Sequence, residues 1–141
     1  VLNAAPARPV SADLLSSIDL LVVNRGEAAD LLGRSEDGLD APAAAEKLLE
    51  HGPAAVIVTL GGDGLVLAEA ARTAHHPALR VPVISTHGAG DAFIGALAAE
   101  WGRGASLAEA AAFGQAAAAL HVSLPVDHRA GVDEAAIRAR L

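Results

Sequence analysis

Leu20-Leu-Val-Val-Asn24-Arg-Gly-Glu27 decides the fold class. A continuous apolar run that stops at a polar residue reads as a buried strand, and the residues after it, 27–32, read as a helix that ends at Gly33. Asp40 then caps a second helix, with Pro42 in its first turn, Leu48 and Leu49 towards its end and Gly52 just beyond it. Ala55-Val-Ile-Val-Thr59 repeats the buried-strand pattern. Gly61-Gly-Asp-Gly64 turns the chain into Leu65-Val-Leu67, with Asp63-Gly64 as a hairpin signal. Strands that are apolar on both faces and alternate with helices indicate an α/β layer fold with a mostly parallel sheet.

The C-terminal stretch continues the pattern. Residues 81–84 are expected to form a further strand that enters a glycine-rich turn at Gly88-Ala-Gly90. The following helix sets Phe93, Leu97 and Trp101 on one stripe and stops at Gly102. Ser106-Leu-Ala-Glu109 is a capping box that opens an alanine-rich helix over 107–120. A last amphipathic helix is expected over 133–141.

Composition narrows the functional classes. The 141 residues fit one domain, and the 52% apolar share excludes disorder. Aromatic residues make up only 2%, so alanine carries much of the core and backbones pack closely. There is no cysteine, which removes disulfides, thiolate nucleophiles and cysteine-ligated metal sites. A net charge of −7 without a basic run argues against a nucleic-acid surface. The longest charge-free stretch, 110–126, is largely alanine and contains Gln115, His121, Ser123 and Pro125, unlike a membrane span of about 20 apolar residues. No basic segment leads into an apolar leader, so the expected location is cytoplasmic.

Chemistry concentrates in Ser85-Thr-His-Gly-Ala-Gly-Asp91-Ala-Phe93. The first N–H groups of the helix beginning there have no internal partner and carry its positive dipole end. Gly88 and Gly90 remove side chains that would keep an anion away from them. The stretch is neither a Walker A loop nor a dinucleotide fingerprint. Asp91 would repel a resting phosphate but suits a site where an alcohol loses its proton while attacking a phosphoryl group. The simpler reading is that Asp91 only complements the helix dipole.

Two more segments leave strand ends, where open α/β sheets place ligands. Asn24 can donate to a phosphate, and Glu27 can hold magnesium through its water shell; the plain alternative is a strand-to-helix cap. Residues 59–64, Thr-Leu-Gly-Gly-Asp-Gly, offer backbone N–H groups with little bulk; the alternative is a hairpin turn. Arg25 could reach a phosphate. His75-His76 lacks metal-ligand spacing and reads as a solvent-exposed pair, and Arg72, Arg80 and Arg103 read as surface charges.

Taken in order, Asn24-x-x-Glu27, Thr59-Leu-Gly-x-x-Gly64 and Gly88-Ala-Gly-Asp91-x-Phe93 resemble the ribokinase-like (PfkB-type) carbohydrate kinases. Leu2-Asn-Ala-Ala-Pro-Ala7 is similar to an Asn-Pro-Ala-Pro segment of ribokinases. The resemblance implies a three-layer ribokinase-like fold, and this chain as its C-terminal, ATP-binding portion without the sugar-binding half and its lid. Such a portion would expose a sheet edge and an apolar face.

The resemblance also implies roles. Asp91 would be the catalytic base towards a sugar's primary hydroxyl, with Gly88, Ala89 and Gly90 as the anion hole. Asn24 would serve the phosphates and Glu27 the Mg²⁺. Thr59, Leu60, Gly61, Gly62, Asp63 and Gly64 would line the ATP site, with Gln115 beside the nucleotide. Ribose is the default acceptor. ATP and Mg²⁺ are the implied cofactors, and a homodimer is open to the full-length protein. Ser85 stands where the family usually has an acid that helps to bind a monovalent cation, and Leu124-Pro-Val-Asp-His-Arg129 departs from that site's usual pattern. Potassium (K⁺) activation is therefore in doubt, although backbone carbonyls could contribute. The rival function is a nucleotide-binding module, or an inactive kinase remnant, without phosphotransfer; a non-enzymatic oligomerisation domain is a third.

Overall fold

The computed structural model describes residues 1–5 and 8–141, so Pro6 and Ala7 of the Asn-Ala-Ala-Pro-Ala segment lie outside the described residues. The chain divides into two compact units, Val1–Pro77 and Ala78–Leu141.

The first unit is a five-stranded sheet with helices. In chain order it contains β1 (Leu2–Asn3), α1 (Ala12–Ser16), β2 (Leu20–Asn24), α2 (Arg25–Leu31), α3 (Ala41–Leu49), β3 (Ala55–Thr59), β4 (Leu65–Glu69) and β5 (Arg72–His76). The spatial order is β1-β2-β3-β4-β5. β1 and β3 flank β2 in parallel, whereas β4 and β5 follow as antiparallel neighbours. The sheet is thus mixed: its parallel part comes from the strand–helix–strand crossovers, and its antiparallel part from two short connections.

Sequence explains these elements. Leu20 through Val23 and Ala55 through Val58 are all buried, as continuous apolar runs require. Asp40 caps α3 through its side chain, which accepts from the Ala43 N–H at 3.4 Å, and Pro42 occupies the first turn. The buried stripe of α3, Ala41, Ala44, Ala45 and Leu48, joins Val56, Val58 and Val66 in one core. A fully buried side chain such as Leu48 contributes about 1.5–3 kcal/mol. The β3–β4 hairpin closes over residues 60–64. Thr59 pairs with Leu65, the Leu60 N–H donates to the Gly64 carbonyl at 2.8 Å, and Gly61–Asp63 form one 3-10 turn.

The second unit is helical. It contains α4 (Ala89–Gly102), α5 (Leu107–Ser123), a 3-10 segment (Val126–Gly131) and α6 (Glu134–Arg138). α4 and α5 lie close together because Gly114 has no side chain: a Cβ there would stand 2.8 Å from the Phe93 carbonyl oxygen. The Ser106–Glu109 capping box forms as expected, and the helix it opens runs three residues past 120. Arg138 anchors α6, pairing with Glu100 at 2.8 Å and Glu134 at 2.9 Å and lying 4.9 Å over the Phe113 ring. Arg103, read as a surface charge, is exposed and also pairs with Glu100 and Glu134.

One expected strand is absent. Residues 81–84 form no strand, and Val83 and Ile84 are 62% and 58% exposed. The Ile84 and Ser85 N–H groups both donate to the Val122 carbonyl near the end of α5, at 2.8 and 3.3 Å, so a helix end takes the amides that a neighbouring strand would need. The final helix is also shorter than 133–141, with Asp133 as its cap. Among the described residues no helix is long and apolar enough to cross a membrane.

Candidate functional site

In the first unit, strand register brings two sequence motifs to one place. β2 and β3 are parallel neighbours with Asn24 opposite Thr59, so the Asn-x-x-Glu and Thr-Leu-Gly segments leave the sheet side by side at its C-terminal end. The Thr59 hydroxyl donates across this pair to the Val23 carbonyl at 3.4 Å. Asn24, Arg25, Gly26, Glu36, Thr59, Leu60, Gly61 and Asp63 line an open cleft of about 450 Å³. Glu27, Gly62 and Gly64 are not among its lining residues.

Glu27 is turned back. The Asn24 side-chain oxygen accepts from the Glu27 N–H at 2.8 Å, and the Glu27 carboxylate accepts from the Asn24 N–H at 2.8 Å. This reciprocal capping box starts α2. It leaves the Asn24 amide NH₂ available to an acceptor and one Glu27 carboxylate oxygen outside the cap. Among the described residues no three acidic or histidine side chains cluster tightly enough to hold a metal. Magnesium at Glu27 would therefore take most of its ligands from water and substrate phosphates, as that cation commonly does.

Two residues of this region escape sequence reading. Glu36 lies in a polar loop with no periodic signal, yet its carboxylate lies 3.1 Å from where a Cβ of Gly26 would stand. His75 is exposed, as the sequence reading has it, but its Nε2 also donates to the Asp63 carbonyl at 2.7 Å and so ties β5 to the 61–63 turn, a contact that reading did not foresee. His76 is half-buried.

In the second unit, residues 88–91 sit where α4 begins. Gly88 is the N-cap at φ 78, a left-handed conformation, and provides no side-chain cap. A Cβ at Gly88 would stand 2.9 Å from His121 Nε2. Gly88 is thus glycine for reasons of fold. At Gly90 a Cβ would meet nothing within 4 Å. Ala89 and Gly90 form the first turn with Asp91, whose carboxylate is exposed and accepts no hydrogen bond from a described residue. No side chain caps this helix start, and of its first N–H groups that of Ala89 donates to the Thr86 carbonyl at 3.1 Å; the positive dipole end beside the Asp91 carboxylate is an arrangement able to receive an anion. Gln115 lies half-buried in α5.

Sequence reasoning also missed Arg129 and His121, which surround the residues leading into this turn. Arg129 donates to the Ser85, His87 and Leu124 carbonyls, and His121 Nε2 lies 2.9 Å from the His87 oxygen. Only the departure of residues 124–129 from the resembled pattern marked the region.

Comparison with known proteins places these features in context. The sequence model for pfkB family carbohydrate kinases matches residues 1–126. A ribokinase of Haemophilus influenzae is 37% identical over 124 residues, which is 87% of this chain and 40% of the relative. The crystal structure of a ribokinase from Thermotoga maritima superposes with a TM-score of 0.85 at 32% identity, over 98% of this chain and 47% of that one. An Arabidopsis thaliana ribokinase complexed with ribose and ATP gives 0.83 at 29% identity, over 94% of this chain and 44% of its own. The chain therefore spans less than half the length of these relatives, and its fold is ribokinase-like.

Proposed function

Because the chain belongs to the pfkB family of carbohydrate kinases, we propose that it is the C-terminal, nucleotide-binding and catalytic portion of an ATP-dependent sugar kinase that phosphorylates a primary hydroxyl. The observation that carries this reading is the start of α4, an uncapped helix N-terminus with Asp91 exposed in its first turn. The Arabidopsis relative, whose structure is complexed with ribose and ATP, supports both substrates, with ribose as the default acceptor.

In this reading the Asp91 carboxylate accepts the proton of the sugar hydroxyl as its oxygen forms a bond to the γ-phosphorus. The bond from that phosphorus to the β,γ-bridging oxygen breaks, and ADP leaves. The N–H groups of residues 88–90 hold the charge that builds up on the phosphoryl oxygens, a role for which fixed backbone donors are suited. The Asn24 amide and Thr59, Leu60, Gly61, Gly62, Asp63 and Gly64 hold the nucleotide, with Gln115 beside it. Glu27 would hold the water shell of Mg²⁺, which would supply charge neutralisation at the phosphates. In this reading acceptor specificity and any dimer contacts lie mainly in the rest of the full-length protein.

The test is Asp91→Asn in the complete protein that carries this chain. The isosteric amide keeps the fold and the exposed position but cannot take the proton. Turnover with ribose and ATP is expected to fall by roughly 10²-fold or more at unchanged thermal stability. Turnover within twofold of the parent would remove Asp91 from the role of base.

A further inference from the structure

Three described chain segments, residues 84–87, the end of α5 with Leu124, and the 3-10 segment after it, meet at the turn that opens α4, and one side chain joins them. Arg129, half-buried in the 3-10 segment after α5, uses three different nitrogens. Nη2 donates to the Ser85 carbonyl at 3.2 Å, Nη1 to the His87 carbonyl at 3.1 Å, and Nε to the Leu124 carbonyl at 3.1 Å. His121 Nε2, on the last turns of α5, lies 3.1 Å from the same Nη1 and 2.9 Å from the His87 oxygen. The Val122 carbonyl holds the Ile84 and Ser85 amides. A guanidinium is the side chain suited to this work: it is always charged, and its donors are arranged in a rigid planar fork.

The placement has a consequence for α4. Gly88, the N-cap, follows His87 directly and has no side chain with which to hold the first turn in place. The Ala89 N–H donates back to the Thr86 carbonyl at 3.1 Å, so the direction of the first-turn N–H groups depends on how the peptides of residues 85–87 are fixed. Two of those peptides, at Ser85 and His87, are held by Arg129. Carbonyl oxygens brought together in this way repel one another unless a cation lies among them, and the guanidinium is that cation. In the kinase reading it also adds positive charge beside a turn that receives the transferred phosphoryl group.

We propose that Arg129 is the positioning residue of the phosphoryl-transfer site. It fixes the Ser85 and His87 carbonyls and through them aims the first-turn N–H groups of α4 and the Asp91 carboxylate. The proposal rests on the kinase reading of residues 88–91, but part of its test does not.

Amide hydrogen exchange of the chain, parent against Arg129→Ala, reads the clamp without reference to any reaction. Residues 86–91 are expected to exchange faster in the variant while α5 keeps its protection. Unchanged exchange at 86–91 overturns the clamp. Steady-state kinetics of the complete protein then read the catalytic consequence. A misaimed site loses kcat by roughly 10²-fold while KM for ATP stays near its parental value, and added guanidinium ion restores part of the lost kcat. A variant that raises KM alone, or one that guanidinium does not rescue, overturns the positioning role. Should Arg129→Ala fail to fold, Arg129→Lys retains a charge but only a point donor; the same exchange increase and kcat loss are expected, and parental behaviour would overturn the proposal. Failure of the kinase reading shows separately, as an Asp91→Asn variant with full turnover and a clamp still visible in exchange.

Discussion

Asn24 and Thr59 face each other as the last residues of two parallel strands, 35 residues apart in sequence and paired in register. Their pairing turns two weak sequence motifs into one cleft, since each alone reads as a cap or a turn. The Asn24 oxygen caps α2 through the Glu27 N–H, and in the proposed reading its NH₂ serves the phosphates. These roles can be separated. Aspartate caps a helix as well as asparagine does, so Asn24→Asp is expected to leave the thermal midpoint nearly unchanged while placing a negative charge where phosphates would lie.

The glycines of the α4 turn separate fold from function in the same way. Gly90 has open space around its would-be Cβ, so Gly90→Ala is expected to fold with parental stability and still reduce turnover, by crowding an incoming phosphoryl group. Gly88 is held at φ 78 against His121. Gly88→Ala is therefore expected to lower the thermal midpoint itself. Denaturation curves of the two variants, measured beside activity, check the contrast; equal destabilisation by both would contradict the geometry.

Much of this was legible beforehand. The runs at 20–24 and 55–59, the Asp40 cap with Pro42, the 59–65 hairpin and the Ser106–Glu109 box all stand where local chemistry puts them. Such signals are local and need no knowledge of partners. Residues 81–84 were misread because a β-like apolar stretch forms a strand only beside another strand, and here its amides find the end of α5. Arg129, His121 and Glu36 were missed because their meaning lies in contacts between distant segments. Asn24 and Glu27 were read for both cap and ligand; the cap is visible in the structure, and the ligand role is the part that experiment must supply.

Acid should weaken the second unit. The Ser106 hydroxyl and then its N–H hold the Glu109 carboxyl below the ordinary carboxylate value, and the Arg138 hydrogen bond is the main cause of the same shift at Glu134. A depressed folded-state pKa means that the unfolded chain binds more protons. The contribution is therefore complete above the unfolded carboxylate pKa, near 4.5, and is lost as pH falls through the lower folded value. The thermal midpoint should drop on acidification from about pH 6 to about pH 3. Ser106→Ala should make that acid limb shallower. An identical acid limb in parent and variant would contradict the assignment.

Arg129 already places a cation against the Ser85 and His87 carbonyls. Turnover of the complete protein is accordingly expected to be the same in potassium chloride as in tetramethylammonium chloride at equal ionic strength. A marked requirement for potassium would mean that these carbonyls accept a metal cation beside the guanidinium, or in its place.

The most direct measurement is calorimetric titration of the folded 141-residue chain with a non-hydrolysable ATP analogue in the presence of Mg²⁺, alongside the Asn24→Asp variant. Saturable binding at one site, weakened by at least about tenfold in the variant through charge repulsion, is the expected result. Saturable binding that Asn24→Asp leaves untouched, or no binding by a chain that circular dichroism shows to be folded, would contradict the placing of a nucleotide site between the ends of β2 and β3.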